Sequence, residues 1–131
     1  MSDFDSIEAF LSNLEKIHPQ VDVLINNDGM IAPQEYKESK YGLEVTFQAN
    51  FVSTVLLTEL MIPLMTNDDR LIHVSSMNHA QASKPINCDV IPSKADTFGG
   101  YDKDYAESKW LLTAYSASLK GRLPNNVKSV C

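Results

Sequence analysis

Short apolar runs and longer amphipathic segments alternate along this chain. Residues 21–25 and 70–74 are rich in Val, Ile and Leu, and a further segment with two valines, Val-Lys-Ser-Val-Cys, begins at residue 127. Runs that are short and almost continuously apolar are typical of strands buried in a parallel sheet, and the polar residues that follow predict turns. We therefore expect strands at residues 20–26 and 70–75, and the beginning of a third strand in residues 127–131.

The first residues of the chain carry the pattern of a capped amphipathic helix. Ile7, Leu11 and Leu14 recur at helical spacing, and Ser2 or Asp5 stands where an N-cap is expected. This helix would pack its apolar stripe against the sheet.

Two more helical segments separate the predicted strands. Residues 39–65 form a long helix that Ser39 would cap, and residues 104–122 form another helix. Residues 77–103 are a long connection, far above the usual loop length. Alternation of strands and helices predicts an α/β fold in which right-handed helical crossovers join parallel strands.

Polar side chains follow the predicted strands at the point where each strand ends. Asn26, Asn27, Asp28 and Gly29 close the first strand, and Ser76 follows the second. In open sheets of parallel strands, ligands bind beyond the carboxyl ends of the strands. The sequence therefore predicts that these groups converge on one edge of the sheet.

Tyr105 and Lys109 lie four residues apart on the helix that follows this edge. Side chains at that spacing lie above one another, so the ammonium can approach the phenolic oxygen. A neighbouring positive charge favours the phenolate, which makes tyrosine usable as a general acid or base. The spacing alone also occurs by chance on ordinary helix surfaces, so the upstream residues are needed to interpret it.

Each candidate residue also has a plainer interpretation. Ser75 and Ser76 could simply end a strand and cap a turn, and Asn50, inside a helix, would then only need hydrogen-bond partners. His73 and His79 suggest a Ser-His hydrolase, but no Gly-x-Ser-x-Gly motif surrounds either serine. We therefore do not favour a hydrolase.

Taken in order, these motifs resemble those of the short-chain dehydrogenase/reductases. The family has an Asn-Asn-Ala-Gly turn, matched here by residues 26–29, and a catalytic serine after the next strand, matched by Ser76. Its Tyr-x-x-x-Lys pair corresponds to Tyr105 and Lys109, and its helical asparagine to Asn50. The resemblance covers residues 2–131 and is strongest to the retinol-dehydrogenase-like branch.

The resemblance implies a mechanism and its residues. Tyr105 would be the general acid/base, Lys109 would assist it and hold the nicotinamide ribose, Ser76 would polarise the reacting oxygen, and Asn50 would position a proton relay. The residues expected to contact the cofactor are Asn26, Asn27, Gly29, Tyr105 and Lys109.

The implied activity is hydride transfer between NADP or NAD and an alcohol or carbonyl of retinoid, steroid or lipid type. Family members of this kind commonly form homodimers through the helices that correspond to residues 42–65 and 104–122. The implied fold is a partial Rossmann-like, doubly wound parallel sheet. Its strands would correspond to the fourth, the fifth and the start of the sixth of the family.

Composition limits the alternatives. The chain has 131 residues, 44% of them hydrophobic, and a net charge of −6, which argues against nucleic acid or an anionic membrane as partner. The first residues do not form a signal peptide, and polar residues interrupt residues 52–65 too often for a bilayer span. Cys88 and Cys131 lack metal-ligand spacing and are expected to be free thiols. We expect a cytoplasmic location for this chain, although a longer form could be anchored to a membrane.

Glycine usage changes the functional expectation. None of the five glycines forms the Gly-x-x-x-Gly-x-Gly turn with which the family binds the pyrophosphate, and Asp28 replaces the alanine of the Asn-Asn-Ala-Gly turn. We expect residues 1–131 to be one partial domain, a middle piece without the N-terminal glycine-rich segment and the C-terminal substrate loop. Cofactor binding by this chain alone is therefore doubtful. The alternative is a catalytically silent piece that only folds or dimerises.

Overall fold

The computed structural model describes residues 3–31, 33–66, 68–82, 91–124 and 126–131. It contains four α-helices and three strands within these ranges. In chain order they are α1 (Phe4–Ile17), β1 (Val23–Asn26), α2 (Val45–Phe47), α3 (Ser53–Met61), β2 (Arg70–His73), α4 (Ala106–Ser118) and β3 (Lys128–Val130). Ser2 and Cys88 lie outside the described residues, and Cys131 is a free, exposed thiol as expected.

The three strands form one parallel sheet in the order β1-β2-β3. Asn26 at the end of β1 is opposite His73 at the end of β2, so both strands finish at the same edge. This confirms the predicted α/β class and the predicted parallel pairing. The strands are shorter than expected, because regular pairing stops before Ser75 and starts only at Val23.

One face of the sheet packs against α3 and α4 and contains the hydrophobic core. Leu71 and Leu119 are completely buried there, together with Met65 and Val127. Leu24, Tyr115 and other partly buried apolar residues surround this cluster. Burial of this apolar surface is the main stabilising contribution to the fold.

The opposite face of the sheet is exposed, which corrects the prediction that the strand in residues 21–25 is buried. Val23 and Ile25 in β1 are 48% and 56% exposed, and Val130 in β3 is 57% exposed. Successive strand residues point to opposite faces, so burial by the helices reaches only every second residue. An apolar run in the sequence does not reveal that the described helices pack on one face.

Two helix starts differ from the sequence prediction. The carboxylate of Asp3 caps α1 by accepting a 3.2 Å hydrogen bond from the backbone nitrogen of Asp5, so Asp5 itself lies inside the helix. The long helix begins at Val45 rather than near Ser39, because the buried carboxylate of Glu44 accepts hydrogen bonds from two backbone amides. A carboxylate with two acceptor oxygens caps more amides than a serine hydroxyl does.

Residues Val45–Leu64 form a continuous helical segment of 20 residues, divided by turns of different pitch. By length and composition alone this segment is long and apolar enough to cross a membrane, as core helices of soluble proteins also can be. Here it buries Gln48, Asn50 and Thr58 against the rest of the chain. The helix therefore carries polar groups into the protein interior.

Candidate active site

Two of the predicted site residues lie in π-helical turns. The first, Gln48–Val52, precedes α3 and contains Asn50, and the second, Tyr101–Tyr105, precedes α4 and ends at Tyr105. Such turns interrupt the regular helical hydrogen bonds and are frequent at functional sites. The sequence predicted a helix around Gln48–Val52, but it assigned residues 77–103 to a connection and began the next helix at residue 104, so most of Tyr101–Tyr105 was not predicted as helix. The change in pitch was not indicated for either turn.

Lys109 is buried at the carboxyl edge of the sheet, with a relative exposure of 3%. Its Nζ donates a 3.0 Å hydrogen bond to the carbonyl of Val74, just after β2. The same Nζ lies 6.0 Å from the centre of the Tyr105 ring. Burial lowers the pKa of Lys109 below its usual value, and electrostatic interactions with Cys131 and Asp28 partly oppose this shift.

Gly29 leaves room for the Lys109 ammonium. A Cβ atom at position 29 would lie 3.1 Å from the Nζ of Lys109 and 3.5 Å from the Oδ1 of Asn50. A side chain at this position would therefore crowd the lysine. The turn after β1 and the helix α4 meet at this point, as the sequence predicted from the strand ends.

Asn50 is completely buried and joins the turn after β1 to α4. Its Oδ1 accepts a 2.8 Å hydrogen bond from the backbone nitrogen of Met30, and its Nδ2 donates to the carbonyl of Met30 at 3.0 Å. The Nδ2 also donates to the Oγ of Ser108 at 3.1 Å. The amide group of Asn50 therefore uses both protons and its oxygen, which also fixes its orientation.

Ser108 was not singled out by the sequence interpretation. Its hydroxyl is fully buried, accepts the hydrogen bond from Asn50 and donates a 2.7 Å hydrogen bond to the carbonyl of Tyr105. Ser108 thus ties Asn50 to the start of α4. The only sequence indication was a small polar residue between Tyr105 and Lys109, which is unremarkable in a helix.

The two serines after β2 have different partners. The Oγ of Ser75 lies 2.8 Å from the hydroxyl of Thr113 and donates a 3.2 Å hydrogen bond to the carbonyl of Lys109. Ser75 therefore connects the end of β2 to α4. The Oγ of Ser76 accepts a 3.2 Å hydrogen bond from the backbone nitrogen of Asn78 and caps the short 3₁₀ turn Met77–Gln81. Ser76 therefore has, in the structure, the turn-capping role that the plainer interpretation gave it. No direct hydrogen bond joins Ser76 to Tyr105 among the described residues.

Asn26 and Asn27 have separate environments. Asn26 is buried, and its Nδ2 donates a 2.9 Å hydrogen bond to the hydroxyl of Thr58 in α3. Asn27 is exposed, as is Asp28. Asn26 thus anchors the end of β1 to the helix behind the sheet, whereas its neighbours face the open edge.

Neither histidine of the rejected hydrolase interpretation pairs with a serine hydroxyl. His73 is buried behind the sheet, where its Nε2 lies 3.3 Å from the Thr58 hydroxyl, and burial lowers its pKa to about 4. The Nδ1 of His79 lies 2.6 Å from the backbone carbonyl of Ser76. A Ser-His pair for nucleophilic attack is therefore absent from the described residues.

Known proteins resemble this chain over most of its length. The profile of the family described as "short chain dehydrogenase" matches residues 1–88. An uncharacterized oxidoreductase of Schizosaccharomyces pombe is 31% identical, over 92% of this chain and 38% of its own length. Human retinol dehydrogenase 14 is also 31% identical, over 90% of this chain and 34% of its own length.

Solved structures share the fold. The crystal structure of a putative uncharacterized protein from Mycobacterium paratuberculosis matches with a TM-score of 0.78 and 27% identity, covering 92% of this chain and 41% of that one. A short chain dehydrogenase from Burkholderia cenocepacia, solved in complex with NADP, gives a TM-score of 0.61 at 14% identity, covering 96% of this chain and 48% of that one. The chain spans about a third of the length of the curated relatives that it matches.

Proposed function

The chain belongs to the short-chain dehydrogenase family, and from that premise we propose that it contributes the acid/base half of an NAD(P)-dependent oxidoreductase site. The observation that carries this proposal is the burial of the Lys109 ammonium beside Gly29, 6.0 Å from the centre of the Tyr105 ring. A buried cation is costly unless it is paired and hydrogen-bonded, and such groups are concentrated at functional sites. Here it lies at the carboxyl edge of a parallel sheet, where such folds bind their ligands.

Each residue has a proposed part in the reaction. Tyr105 exchanges a proton with the substrate oxygen, and the ammonium of Lys109 stabilises the phenolate that this leaves. Ser76 donates a hydrogen bond to the same oxygen and polarises it. Asn50 fixes the turn at Met30 against α4, and its proposed relay role depends on the same placement.

The residues present fit one half of a dinucleotide. Because Gly29 has no Cβ, the Lys109 ammonium can lie beside the turn after β1, and we propose that it binds the nicotinamide ribose there, with Asn26, Asn27 and Tyr105 as the other contacts. When bound, the nicotinamide would supply or accept the hydride. The pyrophosphate has no matching glycine-rich turn in this sequence, and the exposed Asp28 adds a like charge. The proposal covers NAD and NADP alike.

We propose a small alcohol or carbonyl compound as substrate, of retinoid, steroid or lipid type. Support comes from the similarity to a relative named retinol dehydrogenase 14. Residues 1–131 would act as one partial Rossmann-like domain, located in the cytoplasm. A homodimer would form through the helical surface that contains Phe47, Leu56 and Leu60, which are only partly buried in the single chain.

A second candidate is a catalytically silent piece that folds or dimerises without turnover. The observation in its favour is the lack of a phosphate-binding glycine turn in the sequence. Without several charge-assisted hydrogen bonds of roughly 1.5–3 kcal/mol each, a micromolar dinucleotide site would weaken to millimolar. Under both candidates we expect the isolated chain neither to bind NADPH or NADH tightly nor to catalyse reduction.

A titration with half of the cofactor separates the two candidates. Nicotinamide mononucleotide carries the nicotinamide and ribose but no adenosine diphosphate. If the proposed site exists, millimolar nicotinamide mononucleotide will shift the amide NMR signals of Gly29 and Lys109, and adenosine diphosphate will not. Lys109→Met should remove the shifts, and Lys120→Met, on an exposed lysine after α4, serves as the matched control. Equal shifts in both variants, or none in the parent, favour the silent piece.

A further inference from the structure

Two residues outside the predicted site connect Ser76 to Tyr105. The Nδ2 of Asn78 donates a 2.6 Å hydrogen bond to the Tyr101 hydroxyl, and the Tyr101 ring stacks on the Tyr105 ring with centroids 5.2 Å apart and planes at 14°. At its backbone, Asn78 donates the 3.2 Å hydrogen bond that Ser76 accepts. A continuous chain of contacts therefore runs between the two side chains proposed to hold the substrate oxygen. We call Asn78 and Tyr101 the strut.

The strut joins two elements that the sequence places far apart. Asn78 lies in the 3₁₀ turn after β2, and Tyr101 begins the π-helical turn that leads to Tyr105. Tyr101 and Tyr105 lie one turn apart on the same side of that segment, so their rings can stack. The stacking geometry falls within the range of offset aromatic pairs that attract one another.

The hydrogen bond from the Asn78 backbone to Ser76 leaves the hydroxyl proton of Ser76 available for donation. Because the Ser76 oxygen accepts from the Asn78 amide, its own proton is free to be donated, and it has no acceptor among the described residues. The hydrogen bond from the Asn78 backbone N–H therefore leaves the Ser76 hydroxyl able to donate to a ligand. That is the role proposed for Ser76 with a substrate oxygen.

An exposed tyrosine is usually a surface residue without a special function, and Tyr101 is 43% exposed. Its two contacts distinguish it from a freely moving side chain. The hydroxyl is held by Asn78 at a short distance, and the ring is held against Tyr105. Fixing a ring at both its hydroxyl and its face restricts its rotamers and those of its neighbour.

We propose that Asn78 and Tyr101 are positioning residues that set the separation and tilt of the Tyr105 ring relative to the Ser76 hydroxyl. This role rests on the proposed function of Ser76 and Tyr105. The new element is that the relative geometry of Ser76 and Tyr105 is set by two residues outside the four proposed catalytic ones. Small errors in placement matter, since a misplacement of ~1 Å can cost ~10²-fold in rate.

The first test observes the Tyr105 ring in the 131-residue chain without any reaction. Tyrosine rings are labelled with ¹³C, and the Tyr105 signal is assigned by its loss in Tyr105→Phe. We expect Asn78→Ala to move this signal in the same direction as Tyr101→Leu, which removes the stacked ring. Tyr36→Phe is the matched control, because it removes a hydroxyl that forms a 2.9 Å hydrogen bond to Glu38. An unchanged Tyr105 signal in Asn78→Ala would overturn the strut.

The second test uses the longest form of the protein that shows turnover. Loss of the Asn78–Tyr101 hydrogen bond in Asn78→Ala or Tyr101→Phe should lower kcat by about three- to tenfold and leave KM for the dinucleotide unchanged. The double variant should be no worse than either single variant, since both remove one interaction. Asn78→Asp should recover activity, because a carboxylate can accept from the Tyr101 hydroxyl.

The two tests separate the strut from the proposed function. If ring signals respond but no form turns over, the proposed function fails and the strut remains as a structural link. If turnover is present and unaffected by Asn78→Ala and Tyr101→Phe, the positioning role is wrong while the proposed function stands. Loss of kcat without recovery in Asn78→Asp would show that Asn78 supports folding rather than position, and would also overturn the role.

Discussion

The Nζ of Lys109 donates its 3.0 Å hydrogen bond to the backbone carbonyl of Val74, the residue that follows β2. The cation is therefore attached to the end of the central strand rather than to a side chain. A backbone acceptor cannot be removed by substitution, and it keeps the ammonium beside Gly29. The placement of the proposed site thus depends on the sheet as well as on α4.

Tyr105→Phe should abolish turnover in any form of the protein that is active, because the substitution keeps the ring and its stack but removes the exchangeable proton. Loss of an acid/base group typically lowers the rate by ~10²–10⁴-fold. Steady-state kinetics with a carbonyl substrate measures the effect, and circular dichroism checks the fold. Turnover within about threefold of the parent, a change far smaller than loss of an acid/base group predicts, would exclude the role.

Gly29→Ala should weaken binding of nicotinamide mononucleotide without unfolding the chain. The new Cβ would lie 3.1 Å from the Lys109 Nζ, at the flexible end of a side chain that can shift. The matched control is Gly42→Ala: Gly42 has φ +72° and open space around it, so the change should cost about 1 kcal/mol of stability and leave binding intact. NMR titration measures binding, and urea denaturation measures stability. Equal binding by parent and Gly29→Ala would contradict the expected position of the ligand.

Asn50→Ala should lower the free energy of unfolding by roughly 1–3 kcal/mol, because it leaves the backbone groups of Met30 without their partner. Hydrogen exchange of the Met30 amide should accelerate at the same time. Asn13→Ala, on the exposed side of α1, is the control and should change neither quantity. A Met30 amide that exchanges at the parent rate would show that the turn is held by something else.

Stability should fall in mild acid because of His73. Burial lowers its pKa in the folded state to about 4, whereas the unfolded chain binds a proton near pH ~6.5. The contribution of His73 is therefore complete above about pH 6.5 and is lost as the pH falls toward 4, by up to roughly 2–3 kcal/mol. Urea unfolding at pH 7 and pH 5 measures this slope, and His73→Gln should flatten it. An equally steep slope in His73→Gln would assign the effect to other groups.

The chain should associate through the helical surface that contains Phe47, Leu56 and Leu60. These side chains are apolar and only partly buried in the single chain, and covering them with a second copy would remove apolar surface from water. Sedimentation equilibrium should show a dimer, and Leu60→Glu should shift it toward monomer. A folded monomer of the parent at high micromolar concentration would refute this surface.

The sequence predicted the parts of the site that depend on local spacing. Tyr105 and Lys109 share a helix, and residues 26–29 follow a strand. The helical period and the composition of the turn were therefore sufficient to assign these residues to their elements. Ser108, Asn78 and Tyr101 could not be predicted, because their roles come from hydrogen bonds and stacking between segments that are distant in the chain. Their residue types are ordinary for the elements that contain them.

Element boundaries were less predictable for a different reason. Ser39 looked like a helix cap from its residue type, but the backbone continues without helical pitch until Glu44 provides two acceptor oxygens. The buried-strand prediction for residues 21–25 was wrong because burial depends on how many layers pack on the sheet. Residue type does not encode that number.

The exposed sheet face has a thermodynamic consequence for this chain. Val23, Ile25 and Val130 are already hydrated in the folded state, so unfolding exposes less new apolar surface than the apolar content of the chain suggests. Both the heat-capacity increment of unfolding and the denaturant m-value scale with newly exposed surface. The chain should therefore have a shallow urea transition and a flat stability curve with temperature, until another polypeptide layer covers that face and steepens both.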